Sequence, residues 1–174
     1  MNIIKKNLVG DEMFNSNNWK EAIYKDDLKS VILNGIIFSI LGGILAGALD
    51  YLTNMLNVPI SFGLIIIVLM VSSRIKKSFY TYHILYPVLG IVFLTLGLFV
   101  SYFTNYLIIF KGISAFTLFS NPSFYLNFLL DPIYGIIIFF RNGYNVFYLL
   151  AGILNLAITI WAYVYCYKLI KGRN

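Results

Sequence analysis

Long apolar runs without a single charge constrain this chain more than any other feature. Residues 31–49, VILNGIIFSILGGILAGAL, place nineteen uncharged residues in a row. As a helix rising ~1.5 Å per residue, such a run covers the ~30 Å hydrocarbon core of a bilayer. Because 60% of the 174 residues are hydrophobic and 11% are charged, a water-soluble fold could not cover the apolar surface. The sequence predicts an all-α, polytopic helical membrane protein.

Four transmembrane helices are expected from these runs. We place them at about residues 31–49, 59–73, 84–106 and 145–167. Asp50 closes the first span, and Asn54, Asn57 and Pro59 predict a turn before the second. The second span is short, which requires a thinned bilayer or burial against neighbouring helices. Residues 31–174 are therefore expected to form one four-span domain.

The outer segment, residues 113–142, contains a stretch at residues 122–140 that is apolar enough to resemble a fifth span, but two proline-containing pairs interrupt the segment. Asn121-Pro122 lies near the start of the segment and Asp131-Pro132 in its middle. Proline removes an N–H and disfavours helix in the residue before it, while aspartate caps the helix that follows. The resulting helices, of about nine residues each, are too short to cross a bilayer. We expect an interfacial or re-entrant helical pair on the outer face, between spans three and four.

Residues 1–30 form a polar segment that we assign to the cytoplasm. Asn18 followed by Glu21 resembles a capping box and predicts a short amphipathic helix on the membrane surface. A loosely ordered tail is the alternative. The segment lacks the continuous apolar region of a signal peptide.

The basic residues indicate the orientation of the spans. Of the thirteen Lys and Arg residues, only Lys111 and Arg141 fall on the side assigned to the outside. The positive-inside rule then places both termini in the cytoplasm, whereas a fifth span would put the basic C-terminus outside. Heavy use of Ile, Lys, Asn, Tyr and Phe suits an AT-rich genome, so a bacterial plasma membrane is expected.

Small residues recur in two of the predicted spans. The positions are Gly35, Ser39, Gly43 and Gly47 in the first span and Gly90 and Gly97 in the third. In lipid, ridges of small residues that let backbones approach closely are a main means of packing helices. We expect the ridge to serve packing within the chain, with homodimerisation or docking on another membrane protein as the alternative.

Polar side chains inside the apolar runs should face protein rather than lipid. Asn34 lies in the first span, and Asn155 and Thr159 share a face of the last one, where they form interhelical hydrogen bonds or line a polar pathway. Asp50 and Asp131 are the acids assigned to the outer side. They either serve as a span end and a helix cap or approach each other to bind a cation or a substrate group.

The sequence contains no pattern of catalytic or metal-binding residues. Cys166 is the single cysteine and His83 the single histidine. There is no H-E-x-x-H motif, no G-x-S-x-G motif and no phosphate-binding glycine loop. No cofactor and no metal site are expected, and an enzyme is disfavoured. The net charge of +6 reflects topology rather than binding of nucleic acid.

Two stretches carry a resemblance to a known group of proteins. SILGGILAGALD, at residues 39–50, and the tail GILNLAITIWAYVYCYKLIKGRN, at residues 152–174, resemble small, functionally uncharacterised bacterial four-span membrane proteins. Members of that group have a glycine-rich first span, a basic turn after the second, and an aromatic last span before a basic tail. The resemblance implies the four-span layout and brings no activity with it.

Three classes of function stay open from the sequence. The first is a non-catalytic membrane protein that acts through helix packing as an accessory, scaffold or immunity-type subunit of a membrane assembly. The second is a small channel or transporter working as an oligomer, with Asn34, Asn155 and Thr159 toward a pore. The third is an unrecognised membrane enzyme that uses Asp50 and Asp131. The expected partners are the lipid bilayer and either another membrane protein or a second copy.

Overall fold

The described part of the chain is helical throughout. The computed structural model describes residues 23–56, 61–110, 114–141 and 146–172, and these ranges contain helices and turns but no strand. The elements are α1 Lys25–Met55, α2 Gly63–Lys77, α3 Leu85–Ile109, α4 Ala115–Phe119, α5 Pro122–Leu130, a 3-10 turn Asp131–Ile133, α6 Tyr134–Arg141 and α7 Val146–Lys171. The predicted all-α class is confirmed for these residues.

Four helical stretches in the described ranges are long and apolar enough to cross a membrane. They are Lys25–Met55, Leu85–Ile109, Pro122–Arg141 and Val146–Lys171. Three of them coincide with the first, third and fourth predicted spans. Pro122–Arg141 instead falls in the segment expected to hold the outer helical pair. The predicted second span coincides with α2, which has fifteen residues, fewer than the ~20 of a typical membrane-crossing helix.

Two short helices meet at Asp131-Pro132, as the sequence predicts: α5 has nine residues and α6 has eight, and the 3-10 turn between them makes one continuous helical stretch. The N–H of Asp131 donates to the carbonyl of Phe128, and the N–H of Tyr134 donates to the carbonyl of Asp131. These tighter bonds accommodate the missing N–H of Pro132, so that the helical stretch runs for 20 residues. The Asp131 side chain accepts no hydrogen bond from the described residues, so it does not cap the helix that follows.

Helix α1 extends beyond the predicted first span at both ends. It begins at Lys25 and continues to Met55, so Asp27 and Asp50 lie inside the helix. Residues 25–30, which the sequence assigned to the N-terminal segment, belong to α1. The amphipathic helix predicted to open at Asn18 lies outside the described residues.

Helix α2 occupies the centre of the bundle. Ile67, Val68, Val71 and Ile75 are fully buried, and α2 contacts α1, α3 and α7. Since neighbouring helices rather than lipid surround it, α2 does not need the length of a helix whose surface faces hydrocarbon.

Two aspartates of α1 hold the two ends of α2. At its start, Asp50 Oδ1 accepts the N–H of Gly63 at 3.0 Å. Beyond its end, Asp27 Oδ2 accepts the N–H groups of Tyr80 and Thr81 at 3.1 and 3.0 Å. About 35 Å of helix separates the two aspartates at the standard rise. Together with its flanking residues, α2 therefore runs antiparallel to α1 along most of its length.

The small residues of α1 lie against α3. Ser39 Oγ is 2.7 Å from the carbonyl oxygen of Phe93, which makes a hydrogen bond between the two helices. A side chain at Gly35 would meet the Phe93 ring, and one at Gly47 would meet the backbone of Ser101. The helices therefore approach along the whole ridge.

Gly43 lies directly against the backbone of α3. An ideal Cβ built on Gly43 would lie 2.6 Å from the carbonyl oxygen of Gly97 and 2.7 Å from Cβ of Val100. Gly97 in turn lies against Ile67 of α2. A larger residue at position 43 would therefore separate the central helices.

The α4–α6 segment packs on the second half of α3 and the first half of α7. The Phe124 ring lies 5.3 Å from that of Tyr102 and 5.5 Å from that of Tyr106, measured between centroids. Helix α6 meets α7 at a pair of glycines, since an ideal Cβ on Gly135 would lie 2.8 Å from the backbone nitrogen of Gly152. These contacts fasten the segment to one end of the bundle.

We expect Gly43→Ala to destabilise the bundle by about 1 to 3 kcal/mol, because the added methyl group overlaps the α3 backbone. Gly42→Ala is the matched control, since an ideal Cβ there has its nearest neighbours at 3.6 Å. Thermal unfolding of the purified protein in detergent measures both effects. Equal melting temperatures for the two variants would contradict the close contact at Gly43.

We also expect Asp27→Ala to destabilise the protein by about 1 to 3 kcal/mol, because two backbone N–H groups lose their acceptor. Asp26, the preceding acid, is exposed, so Asp26→Ala should leave stability within about 0.5 kcal/mol of the original. The same unfolding measurement distinguishes them. Equal losses of stability in the two variants would mean that both acids act through their charge in the first turn of α1, and that the hydrogen bonds of Asp27 contribute nothing.

Candidate binding cavity

A cavity of about 450 Å³ lies between α1, α3, α7 and the α5–α6 segment. Its volume falls within the ~300–1,000 Å³ typical of small-molecule sites. The polar part of its lining includes Asp50, Ser61, Asn105, Asp131, Asn155 and Thr159. Polar groups from helices far apart in the sequence thus converge inside an otherwise apolar bundle.

Asp50 anchors one wall of the cavity. Its Oδ2 accepts the hydroxyl of Ser61 at 2.9 Å and lies 3.4 Å from the hydroxyl of Ser101. Its Oδ1 accepts the N–H of Gly63, where the partial positive charge of the α2 N-terminus also favours an acid. Gly63 permits this contact because any Cβ there would lie 2.8 Å from Asp50 Oδ2. The Asp50 carboxylate therefore connects α1, α2 and α3.

Helix α7 joins the same network through Asn155. The Asn155 Oδ1 atom accepts the N–H of Ser61 at 3.1 Å, just before α2. One turn further along α7, Thr159 donates its hydroxyl to the Asn155 carbonyl at 2.8 Å. Both side chains line the cavity, so α7 supplies a polar strip to its wall.

Asp131 enters the cavity from the opposite side. It begins the 3-10 turn between α5 and α6, is exposed and lines the cavity. Its carboxylate accepts no hydrogen bond from the described residues. Of the two acids, Asp50 is held by hydrogen bonds from Ser61 and Gly63, whereas the carboxylate of Asp131 is available to a ligand.

Asn105 adds a second unused acceptor. Its Oδ1 atom is buried and has no hydrogen-bond donor among the described residues, and the side chain lines the cavity. Buried polar atoms are nearly always paired, so an unpaired one in a cavity wall indicates a missing partner. Tyr102, Phe128 and Tyr134 form an aromatic part of the same wall.

The structure brings together some of the residues selected from the sequence and separates others. Asp50, Asp131, Asn155 and Thr159 share the cavity. Asn34 does not reach it, and its Nδ2 donates to the Ser30 carbonyl of its own helix at 2.9 Å. The ridge residues Gly35, Ser39, Gly43, Gly47 and Gly97 lie between helices, and Gly90 lies against Cys166 and Ile170 of α7.

Sequence reasoning missed Ser61, Gly63 and Asn105. Ser61 and Gly63 follow the expected turn at Pro59, where a new helix begins. The first N–H groups of a helix need acceptors, so these two residues could have been identified as hydrogen-bond partners of an acid. Asn105 is an amide in an apolar run, the signal that selected Asn34 and Asn155. Because Asn105 lies at the end of the predicted third span, at residues 84–106, it was not selected as a polar residue inside a span.

His83 and Cys166 play no part in the cavity. His83 Nδ1 accepts the N–H of Leu85 at 3.1 Å and so caps the start of α3, while Cys166 is buried against Gly90. Within the described ranges, no group of three or more His, Cys, Asp or Glu side chains is placed to hold a metal ion.

Comparisons with protein-family models, curated proteins and solved structures find no match for this chain. Function is therefore inferred from the cavity residues themselves.

The two cavity acids should respond oppositely to substitution. Asp50→Ala should lower the free energy of unfolding by about 1 to 3 kcal/mol, because it removes the acceptor at the start of α2. Asp131→Ala should leave stability unchanged or raise it, because it removes a charge that repels Asp50. Thermal unfolding in detergent measures both. A larger loss for Asp131→Ala than for Asp50→Ala would refute these roles.

Proposed function

We propose that this protein is a multi-pass integral membrane protein that binds a small solute in the cavity and acts as a small transporter or the solute-binding part of one. The cavity carries the proposal, because it gathers two acids and several uncharged polar groups within an apolar helical bundle. Ionisable groups in such surroundings are costly, face protein or water-filled space, and usually mark the path of a substrate or ion.

The outer surface of the bundle supports a membrane location. Side chains such as Leu33 and Leu45 of α1, 52% and 55% exposed, continue a face that also includes Ile36, Ile40 and Ile44. A contiguous apolar surface of this kind would cause aggregation in water, whereas hydrocarbon satisfies it. The lipid bilayer is thus the first proposed partner.

The contacts of the α4–α6 segment bear on the number of crossings. They involve the second half of α3 and the first half of α7, through residues such as Phe124 and Gly135. A segment that crossed the bilayer beside the bundle would also contact the first half of α3 and the second half of α7. With α2 as the second span, the chain crosses four times and both termini lie in the cytoplasm, as the distribution of basic residues favours. A bacterial plasma membrane remains the proposed location.

The solute-binding proposal is preferred over an accessory or scaffold role. The ridge that could have offered a docking surface, including Gly43 and Gly47, faces α3 within the chain. The cavity, by contrast, leaves the acceptors of Asp131 and Asn105 without partners in the described part. The geometry thus favours the transporter class among those that the sequence left open.

Labelling of single cysteines tests both topology and cavity access. In a Cys166→Ala background, a membrane-impermeant thiol reagent should modify Asn54→Cys and Thr159→Cys on intact cells. Lys76→Cys should react only after permeabilisation. Ser39→Cys is the buried control, since Ser39 has no exposed surface, and it should not react under either condition.

Two results would count against the proposal. Reaction of Lys76→Cys on intact cells would overturn the orientation. Failure of Thr159→Cys to react from either side, with Asn54→Cys reactive, would show that the cavity admits no solute.

A further inference from the structure

The charge of the cavity limits what it can bind. Asp50 and Asp131 line it, and no Lys, Arg or His side chain is among its lining residues in the described ranges. Two acids in one cavity wall without a basic partner make the site unfavourable for anions. A cation entering it would supply the missing opposite charge.

The two acids would contribute differently to such a cation. Asp50 already accepts hydrogen bonds from Gly63 and Ser61, which hold it at the start of α2. Asp131 accepts none from the described residues, so its oxygen atoms can accept hydrogen bonds from a ligand. Asn105 Oδ1, buried and unpaired in the described part, offers a further acceptor. An ammonium group has several N–H donors and can reach more than one acceptor at once.

The aromatic wall distinguishes an organic cation from a metal ion. Tyr102, Phe128 and Tyr134 line the cavity, with the rings of Tyr102 and Phe128 5.7 Å apart between centroids. Aromatic faces attract ammonium groups and pack against apolar carbon. A metal ion instead needs a tight shell of oxygen, nitrogen or sulfur ligands, and the described residues hold no group of three or more acidic, histidine or cysteine ligands.

From these observations we infer that the cavity binds an organic ammonium ion, with the ammonium at Asp131 and an apolar body against Tyr102, Phe128 and Tyr134. The inference rests on the proposed solute-binding function and specifies its ligand class. The cavity volume of about 450 Å³ is far larger than a bare ion requires and suits a molecule with a carbon skeleton.

A matched set of small molecules tests this inference on the purified full-length chain. The probes are 2-phenylethylammonium, its neutral analogue 2-phenylethanol, its anionic analogue phenylacetate, and sodium chloride as an inorganic control. Binding is measured by calorimetry and by protection of Thr159→Cys, in the Cys166→Ala background, from the thiol reagent.

The ammonium probe should bind and slow the labelling of Thr159→Cys, while the alcohol, the carboxylate and sodium chloride should not. Asp131→Asn should weaken its binding about 10- to 100-fold, because a charge-assisted hydrogen bond is lost. Asp26→Asn, an acid outside the cavity, should bind as the original does and is the matched control.

The unfavourable outcomes separate the two proposals. If Thr159→Cys reacts but the ammonium probe does not protect it, or if the alcohol, the carboxylate or sodium chloride protects equally, the ammonium inference is overturned and the solute cavity stands. Equal affinity in Asp131→Asn also overturns the inference. If Thr159→Cys does not react with the thiol reagent in the absence of any probe, the cavity function itself is overturned.

Discussion

The rest of the structure depends on the carboxylate of Asp50 at the start of α2. Each helix begins with N–H groups that its own turns cannot satisfy, and inside an apolar bundle water does not replace the missing acceptors. Asp50 accepts the N–H of Gly63 and the hydroxyl of Ser61, while Asn155 accepts the N–H of Ser61. A side chain of α1 and one of α7 thus complete the first turn of α2. Helix α7, which is distant in sequence, is thereby joined to the consecutive helices α1 and α2.

This arrangement explains how a short central helix and a polar cavity coexist. Helix α2 is fastened at its start by Asp50 and beyond its end by Asp27, and it is buried between them. Polar groups at its start, Asp50, Ser61 and Asn155, line the space under the α5–α6 segment. Asp131 closes that space from the other side. The groups that hold α2 and the groups proposed to bind a ligand are therefore neighbours in one cluster.

The sequence predicted helices well and tertiary polar contacts poorly, for physical reasons. The uncharged runs around Gly43 and Asn155 are long, so hydrophobic length alone indicated α1 and α7. Asp50 is predicted to close the first span; helix α1 continues past it to Met55, and its carboxylate accepts the N–H of Gly63, a contact that the sequence does not indicate. At Asp131-Pro132 the local rules predicted the two short helices α5 and α6, but not the 3-10 turn that joins them into one stretch. The convergence of Asp50, Asp131 and Asn105 depends on helix packing, which no local pattern encodes.

Hydrogen–deuterium exchange in lipid nanodiscs tests the central claim most directly, because it reports on the backbone amides that begin α2. If Asp50 holds this turn, peptides covering residues 61–66 should exchange slowly in the original protein and rapidly in Asp50→Ala, while the buried centre of α2 around Ile67 and Val71 stays slow in both. Rapid exchange of residues 61–66 in the original protein, or no change on substitution, would contradict the account.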